Sequence, residues 1–304
     1  MGPSNRCPAS LSSDTVASYL MHLDESLRGN LLSVGGFICD YSDLASIEAG
    51  WMDMRRGMGL EDTEPLKWNY GSTSTVRRRI EADGWTNIER RAAMIEVIRD
   101  VPVTLMADVL YDDRGGRRPA LDFYRHALDW LVLRFRNYVT DIRPRPPGPH
   151  YVVLDKPSPA PAARPGFDDP QFRWLQQREQ IWYLHYQNRY WNGFAFAGRS
   201  VPPLRTVGFY PSVVVAHAKF NPLLEIADAV AGLALDFVEY NLRDNDGDLP
   251  HVGWQDENLI RVARCFRAHP SGNIYRWGFM VCPDRVPAEA AIAGWVRRLS
   301  RSGS

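Results

Sequence analysis

Short segments with apolar residues at every second position alternate along this chain with longer ones repeating them three and four apart, the signature of an α/β protein. Thr15–Ser26 reads as a strand, and Leu31–Cys39 as its hairpin partner beyond the turn residues Arg28-Gly29-Asn30. Asp43–Met58 reads as a helix closed by Gly59, and Thr75–Asp83 and Asn87–Arg99 as two more. Val101–Leu110 has the character of a central strand, and Pro119–Tyr138 repeats Leu, Phe, Ala and Trp at helical spacing. Tyr151–Asp155 is a short strand between the proline-rich stretches Arg143–Pro149 and Pro157–Pro165, which read as long loops. A helix over Pro170–Tyr190, a strand over Ser212–Ala216 and a helix over Pro222–Tyr240, capped by Asn221, complete the series. The order predicts a mixed sheet flanked by helices over residues 1–240. Residues 241–304 read as a basic C-terminal extension packed on or flanking the same domain.

Three of these elements carry acids where a core element ordinarily would not. Asp24 and Glu25 end the run Tyr19-Leu20-Met21-His22-Leu23, and Asp155 ends Tyr151-Val152-Val153-Leu154. Asp228 sits in an apolar helix one turn after Glu225. A carboxylate leaving water is costly unless it is paired or bound to metal. Three such segments converging on one spot would form a negative cluster of the kind a hard divalent cation neutralises. Strand alternation puts Asp24 on the face of Leu20, His22 and Ser26, and Glu25 on that of Met21 and Leu23. Asp24 is therefore the stronger ligand candidate, with Glu25 a second ligand or an orienting group. Asp155 falls at the carboxyl end of its strand, where α/β sheets place ligands. On the last helix Glu225, Asp228, Gly232, Asp236 and Glu239 form one polar stripe, which reads either as a wet face or as part of the site. The small residues between them would let the helix lie close to the sheet.

Composition narrows the setting without naming a substrate. With 36 basic and 36 acidic residues the net charge is zero, so bulk charge gives no sign of nucleic-acid binding. The distribution is less even: Leu259–Ser304 holds arginines 261, 264, 267, 276, 285, 297, 298 and 301 against Asp284 and Glu289. That segment could hold phosphates, or could be an ordinary solvated face. Lysine is scarce, and the three present are Lys67, Lys156 and Lys219. No run reaches the length of a membrane span, and the N-terminus lacks a signal-peptide core, so a cytoplasmic protein is expected. Cys7, Cys39, Cys265 and Cys282 lack metal-site spacing and read as free thiols.

The segments His22-Leu23-Asp24-Glu25-Ser26, Leu66-Lys67-Trp68 and Leu224 to Gly232 resemble the bacterial "domain of unknown function 3800" family. Its marks are an N-terminal Asp-Glu pair and a C-terminal Gln-x-x-Asp ahead of a Val/Ala-Gly run, and the resemblance covers roughly residues 16–240. Glu225 stands where that pattern has glutamine. The resemblance implies a ribonuclease H-like fold. It further implies that Asp24, Asp155 and Asp228, with Glu225 as a further candidate, hold Mg²⁺ or Mn²⁺ for phosphodiester hydrolysis of DNA or RNA by a two-metal mechanism. Lys67 would contact the scissile phosphate or the attacking water. By analogy with the family, the setting would be phage defence or mobile-element biology.

Other readings stay open. The chain could be a non-catalytic ribonuclease H-like subunit that binds nucleic acid within a larger complex, or a hydrolase of a small phosphorylated substrate. Trp182, Tyr183, Tyr186, Arg178 and Arg189 share one helix and could stack bases, pack inward or form a homodimer surface. His22 and His217 read as core residues in strands. Asp244–Asp248 reads as a turn, because its glycine comes too early for a calcium loop.

Overall fold

Alternation and one tight turn build the first hairpin: β1 (Tyr19–Arg28) pairs antiparallel with β2 (Leu31–Asp40), from Tyr19 opposite Asp40 to Arg28 opposite Leu31. Gly29 closes it with φ 59°, a conformation glycine adopts without a Cβ penalty. The chain continues through α1 (Leu44–Gly57), α2 (Thr75–Ala82) and α3 (Asn87–Asp100) to β3 (Thr104–Tyr111) and α4 (Leu121–Asn137). It then runs through β4 (Tyr151–Asp155), α5 (Pro170–Asn192), the hairpin β5 (Phe194–Phe196) and β6 (Arg199–Val201), and β7 (Val214–Ala216). The last elements are α6 (Leu223–Arg243), α7 (Trp254–Val262) and β8 (Phe279–Cys282). The computed structural model describes residues 18–111, 121–142, 148–156, 170–196, 198–243, 254–270 and 274–282.

Six strands form one mixed sheet in the order β7-β4-β1-β2-β3-β8. β1, β2 and β3 form an antiparallel meander; β4 runs parallel to β1, β7 parallel to β4, and β8 parallel to β3. Each face carries its own core. Leu20, Phe37, Leu105, Ala107 and Val153 pack with residues of α1, α3, α6 and α7, while Met21, Leu23, Val34, Met106 and Leu154 pack with those of α4 and α5. The result is a three-layer α/β/α sandwich, the mixed sheet flanked by helices that the pattern predicts.

The seat of α6 across the sheet depends on a glycine. A Cβ on Gly35 would stand 2.8 Å from the backbone nitrogen of Ala231, so the bare backbone of β2 admits the helix at van der Waals distance. Asn221 caps α6 as expected, its side-chain oxygen accepting from the Leu223 N–H at 3.1 Å.

Three expectations change. The first strand extends to Arg28, because the hairpin pairs through to its turn. His217 lies just after β7 and precedes a 3₁₀ turn over Ala218–Phe220. The acid stripe on α6 is no wet face: Glu225, Asp236 and Glu239 are all buried. Hairpin β5–β6, helix α7 and strand β8 are additions, and β8 takes the far edge of the sheet. The expected turns at 112–116 and 244–248, residues 15–17 and 143–147, the loop at 157–165 and the arginines from 285 onward lie outside the described residues.

Candidate functional site

Two strands bring the first two acids together. In the parallel register Leu23 of β1 stands opposite Leu154 of β4, so Asp24 and Asp155 follow side by side. Asp24 is 5% exposed, and its carboxylate accepts from the Glu25 N–H at 2.7 Å. Asp155 accepts from the Ala218 N–H at 3.0 Å, just past β7. Burial pushes the Asp155 carboxyl up; Lys67, the Ala218 N–H and His217 oppose that, while the nearby Asp228 charge adds to it. Asp155 and Asp228 are therefore within electrostatic reach of each other.

Helix α6 supplies the remaining acids and uses them to fasten the segment between α1 and α2. Glu225 is 1% exposed; one carboxylate oxygen accepts from the Trp51 indole N–H at 2.7 Å and the other from the Leu66 N–H at 2.9 Å. Arg55, also buried, lies 3.5 Å from it. Burial outweighs these partners and pushes the Glu225 carboxyl up to about 7. One turn on, Asp228 accepts from the Trp68 N–H at 2.6 Å. A further turn on, the Trp68 ring fills the place of a side chain at Gly232, where an added Cβ would stand 2.2 Å from it. The Trp68 indole N–H donates to Asp236 at 2.8 Å.

Lys67 is the residue between these two backbone anchors. Its carbonyl accepts from Arg90, and that of Trp68 accepts from Arg90 at 2.8 Å and Arg91 at 3.1 Å. The Lys67 ammonium is held well above its ordinary range, foremost by Asp228; burial opposes this, and Asp24, Asp155 and Glu225 add to it. The acids of two strands and one helix thus surround a single lysine.

Glu25 is not brought to this centre. Alternation turns it to the opposite face, where it borders a cavity with Leu154, Asp155, Glu179, Trp182, Val213 and Val215. His22 is a core residue as expected: it is 2% exposed, stacks on Phe37 with centroids 4.9 Å apart, and burial lowers its imidazole to about 3. Of the aromatic helix, Trp182 and Tyr186 face the core and Tyr183 is exposed. The roles of Trp51, Arg55 and the Trp68 ring escape sequence reasoning, since nothing in their spacing ties them to an element some 160–174 residues away. The Ala218 N–H is equally invisible, being backbone.

The donor chemistry suits a divalent ion. Asp24, Asp155 and Asp228 offer only hard oxygens, and three negative charges face the one positive charge of Lys67. Among the described residues no three His, Cys, Asp or Glu side chains are close enough together to form a complete metal cage. The carboxylates stand around the lysine instead.

No family model matches the chain, and no curated protein matches it. Two solved structures are similar in outline. One is the ribonuclease H2 from Pyrococcus horikoshii OT3, at 10% identity and a TM-score of 0.33, covering 93% of this chain and 99% of that one. The other is a mutant of Bst-RNase HIII, at 14% identity and a TM-score of 0.33, covering 86% of this chain and 69% of that one. Both likenesses are slight. The fold is nonetheless ribonuclease H-like in its own topology: an antiparallel β1–β2–β3, with β4 and β7 parallel beyond β1 and α6 across one face. No helix of the described residues is long and apolar enough to cross a membrane.

Proposed function

We propose that this chain is a divalent-metal-dependent nuclease that hydrolyses phosphodiester bonds of DNA or RNA. The observation that carries the reading is the convergence of Asp24, Asp155 and Asp228 on Lys67 at the carboxyl ends of β1 and β4. A bound Mg²⁺ or Mn²⁺ pair would activate water and stabilise the leaving oxygen. Asp24, Asp155 and Asp228 would hold the ions, each oriented by one backbone N–H. Lys67 would meet the scissile phosphate. Glu225 serves as a positioning residue, because both of its oxygens already receive protein donors. Glu25, on the other face, would act on the substrate's flank. The likeness of the Asp24-Glu25, Lys67 and Asp228 segments to the "domain of unknown function 3800" family supports the same reading, as does a phage-defence or mobile-element setting drawn from that family.

Purified protein should cleave single- or double-stranded DNA or RNA with Mg²⁺ or Mn²⁺. Asp24→Asn should cut the rate by about 10²-fold or more while the protein stays folded. Equal inertness of wild type and mutant across all four substrates sinks the proposal. One observation favours a second reading, a non-catalytic nucleic-acid-binding subunit, alone or in a homodimer or larger complex: Lys67 already compensates part of the acid charge. Calorimetric titration with Mn²⁺ separates the two, since such a subunit should take up no ion.

A further inference from the structure

Lys67 stands in an unusually well-fixed stretch of backbone. The N–H groups on either side of it are tied to α6, Leu66 to Glu225 at 2.9 Å and Trp68 to Asp228 at 2.6 Å. The Trp68 ring is 1% exposed, seated on Gly232 and crossed by Arg91 at 4.8 Å from the ring centre. Two arginines adjoin the strap, yet their guanidinium groups turn to its carbonyls. Compensation of the three strand and helix acids is left to the lysine. A lysine is a compact charge on a flexible four-carbon stem, so it can leave a carboxylate cluster while its backbone stays put.

We propose that Lys67 is a resident counter-ion: its ammonium holds Asp24, Asp155 and Asp228 in place until a divalent cation enters, then turns outward to the substrate phosphate. This rests on the metal-site reading of those three acids and adds a competition to it. Ion entry must displace a positive charge, so the lysine weakens the ion's hold on the substrate-free protein. The carboxylates stand spaced around Lys67, without a closed three-ligand cage, as expected of a site set for the ammonium.

The test is Mn²⁺ binding by calorimetry, with thermal melting as a second readout, on wild type, Lys67→Met and Lys67→Arg. Without metal, Lys67→Met should melt below wild type, because three acids lose their cation. It should bind Mn²⁺ about tenfold more tightly, a difference near 1.4 kcal/mol, and gain more in Tm from it. Lys67→Arg keeps the charge and should bind Mn²⁺ less tightly than Lys67→Met. If folded Lys67→Met binds Mn²⁺ no better than wild type, the counter-ion role is overturned and the nuclease reading survives. If it gains affinity but wild type cleaves no nucleic acid, the nuclease reading falls alone. Absence of Mn²⁺ binding in both overturns both. Should Lys67→Met fold only with metal, refolding in Mn²⁺ should recover it, and failure to recover counts against the proposal.

Discussion

The two ends of α6 treat their acids differently. Toward its C-terminal end, Asp236 pairs with Arg28 at 2.8 Å and with Arg91 at 3.2 Å, and Glu239 pairs with Arg28. Elsewhere in the core the same choice recurs: Asp108 pairs with Arg134, and Asp129 takes a two-pronged contact from Arg189 at 2.8 and 3.0 Å. Toward its N-terminal end, Asp228 takes one backbone N–H and shares Lys67 with Asp24 and Asp155. A guanidinium fork fixes a carboxylate's plane and neutralises it for good; an ammonium does neither. In a chain whose 36 basic residues include so few lysines, a lysine among three acids separates a working site from structural ion pairs.

The sharpest way to break the contrast is to unseat what both ends share, the Trp68 ring. An alanine methyl at Gly232 would overlap the ring at 2.2 Å, and the opposing atoms are the inflexible root of the side chain. The ring must leave its pocket, taking with it the Asp236 bond and the Trp68 N–H on Asp228. Gly232→Ala should cost about 3–5 kcal/mol, the range of losing a buried aromatic, as read by urea denaturation. A smaller effect is expected at the structural end alone. Asp236→Asn keeps the shape but leaves the buried Arg91 without this acid, and should cost about 2–4 kcal/mol. Because Asp228 and Lys67 stay anchored through Leu66 and Trp68, it should change Mn²⁺ affinity by less than about twofold. Equal losses of stability and metal affinity would show that the two ends are one unit.

Much of this was legible in the sequence, for reasons of local physics. Alternation alone separates Asp24 from Glu25, and the structure puts them on opposite faces. The Val152-Val153-Leu154 run ending in Asp155 predicts a strand end, and the small residues of α6 predict its close approach. What was hidden was long-range. Nothing local says that Gly35 must be bare to admit Ala231, or that the α6 stripe turns inward onto arginines from β1 and α3. Strand β8 was missed because Phe279–Cys282 is a four-residue run, too short for periodicity to register. Lys67 lies in irregular chain and drew notice only through the family likeness; its surroundings come from α6, 160 residues on.

Glu225 belongs to neither end of the comparison, and the smallest expected effect is there. It is buried like the structural acids, yet Arg55 stands 3.5 Å away without a fork contact, and burial lifts its carboxyl from the usual 4.5 to about 7. A raised carboxyl pKa means that the folded protein binds the proton more tightly than the unfolded chain does. Its contribution to stability is thus fully present below about pH 4.5 and is lost as pH rises to about 7. Between those values Glu225 works against the ordinary acids, whose pairing strengthens folding as pH rises. Glu225→Gln removes the titration, at the expense of one acceptor, since its amide must face either the Trp51 or the Leu66 N–H. The variant should lose about 1–2 kcal/mol at pH 5, with the deficit shrinking toward pH 8, where wild type carries a buried charge. Denaturation midpoints of both proteins across that range measure this directly. A deficit that stays constant with pH would mean that Arg55 keeps Glu225 ionised, placing it with the arginine-paired acids at the far end of the helix.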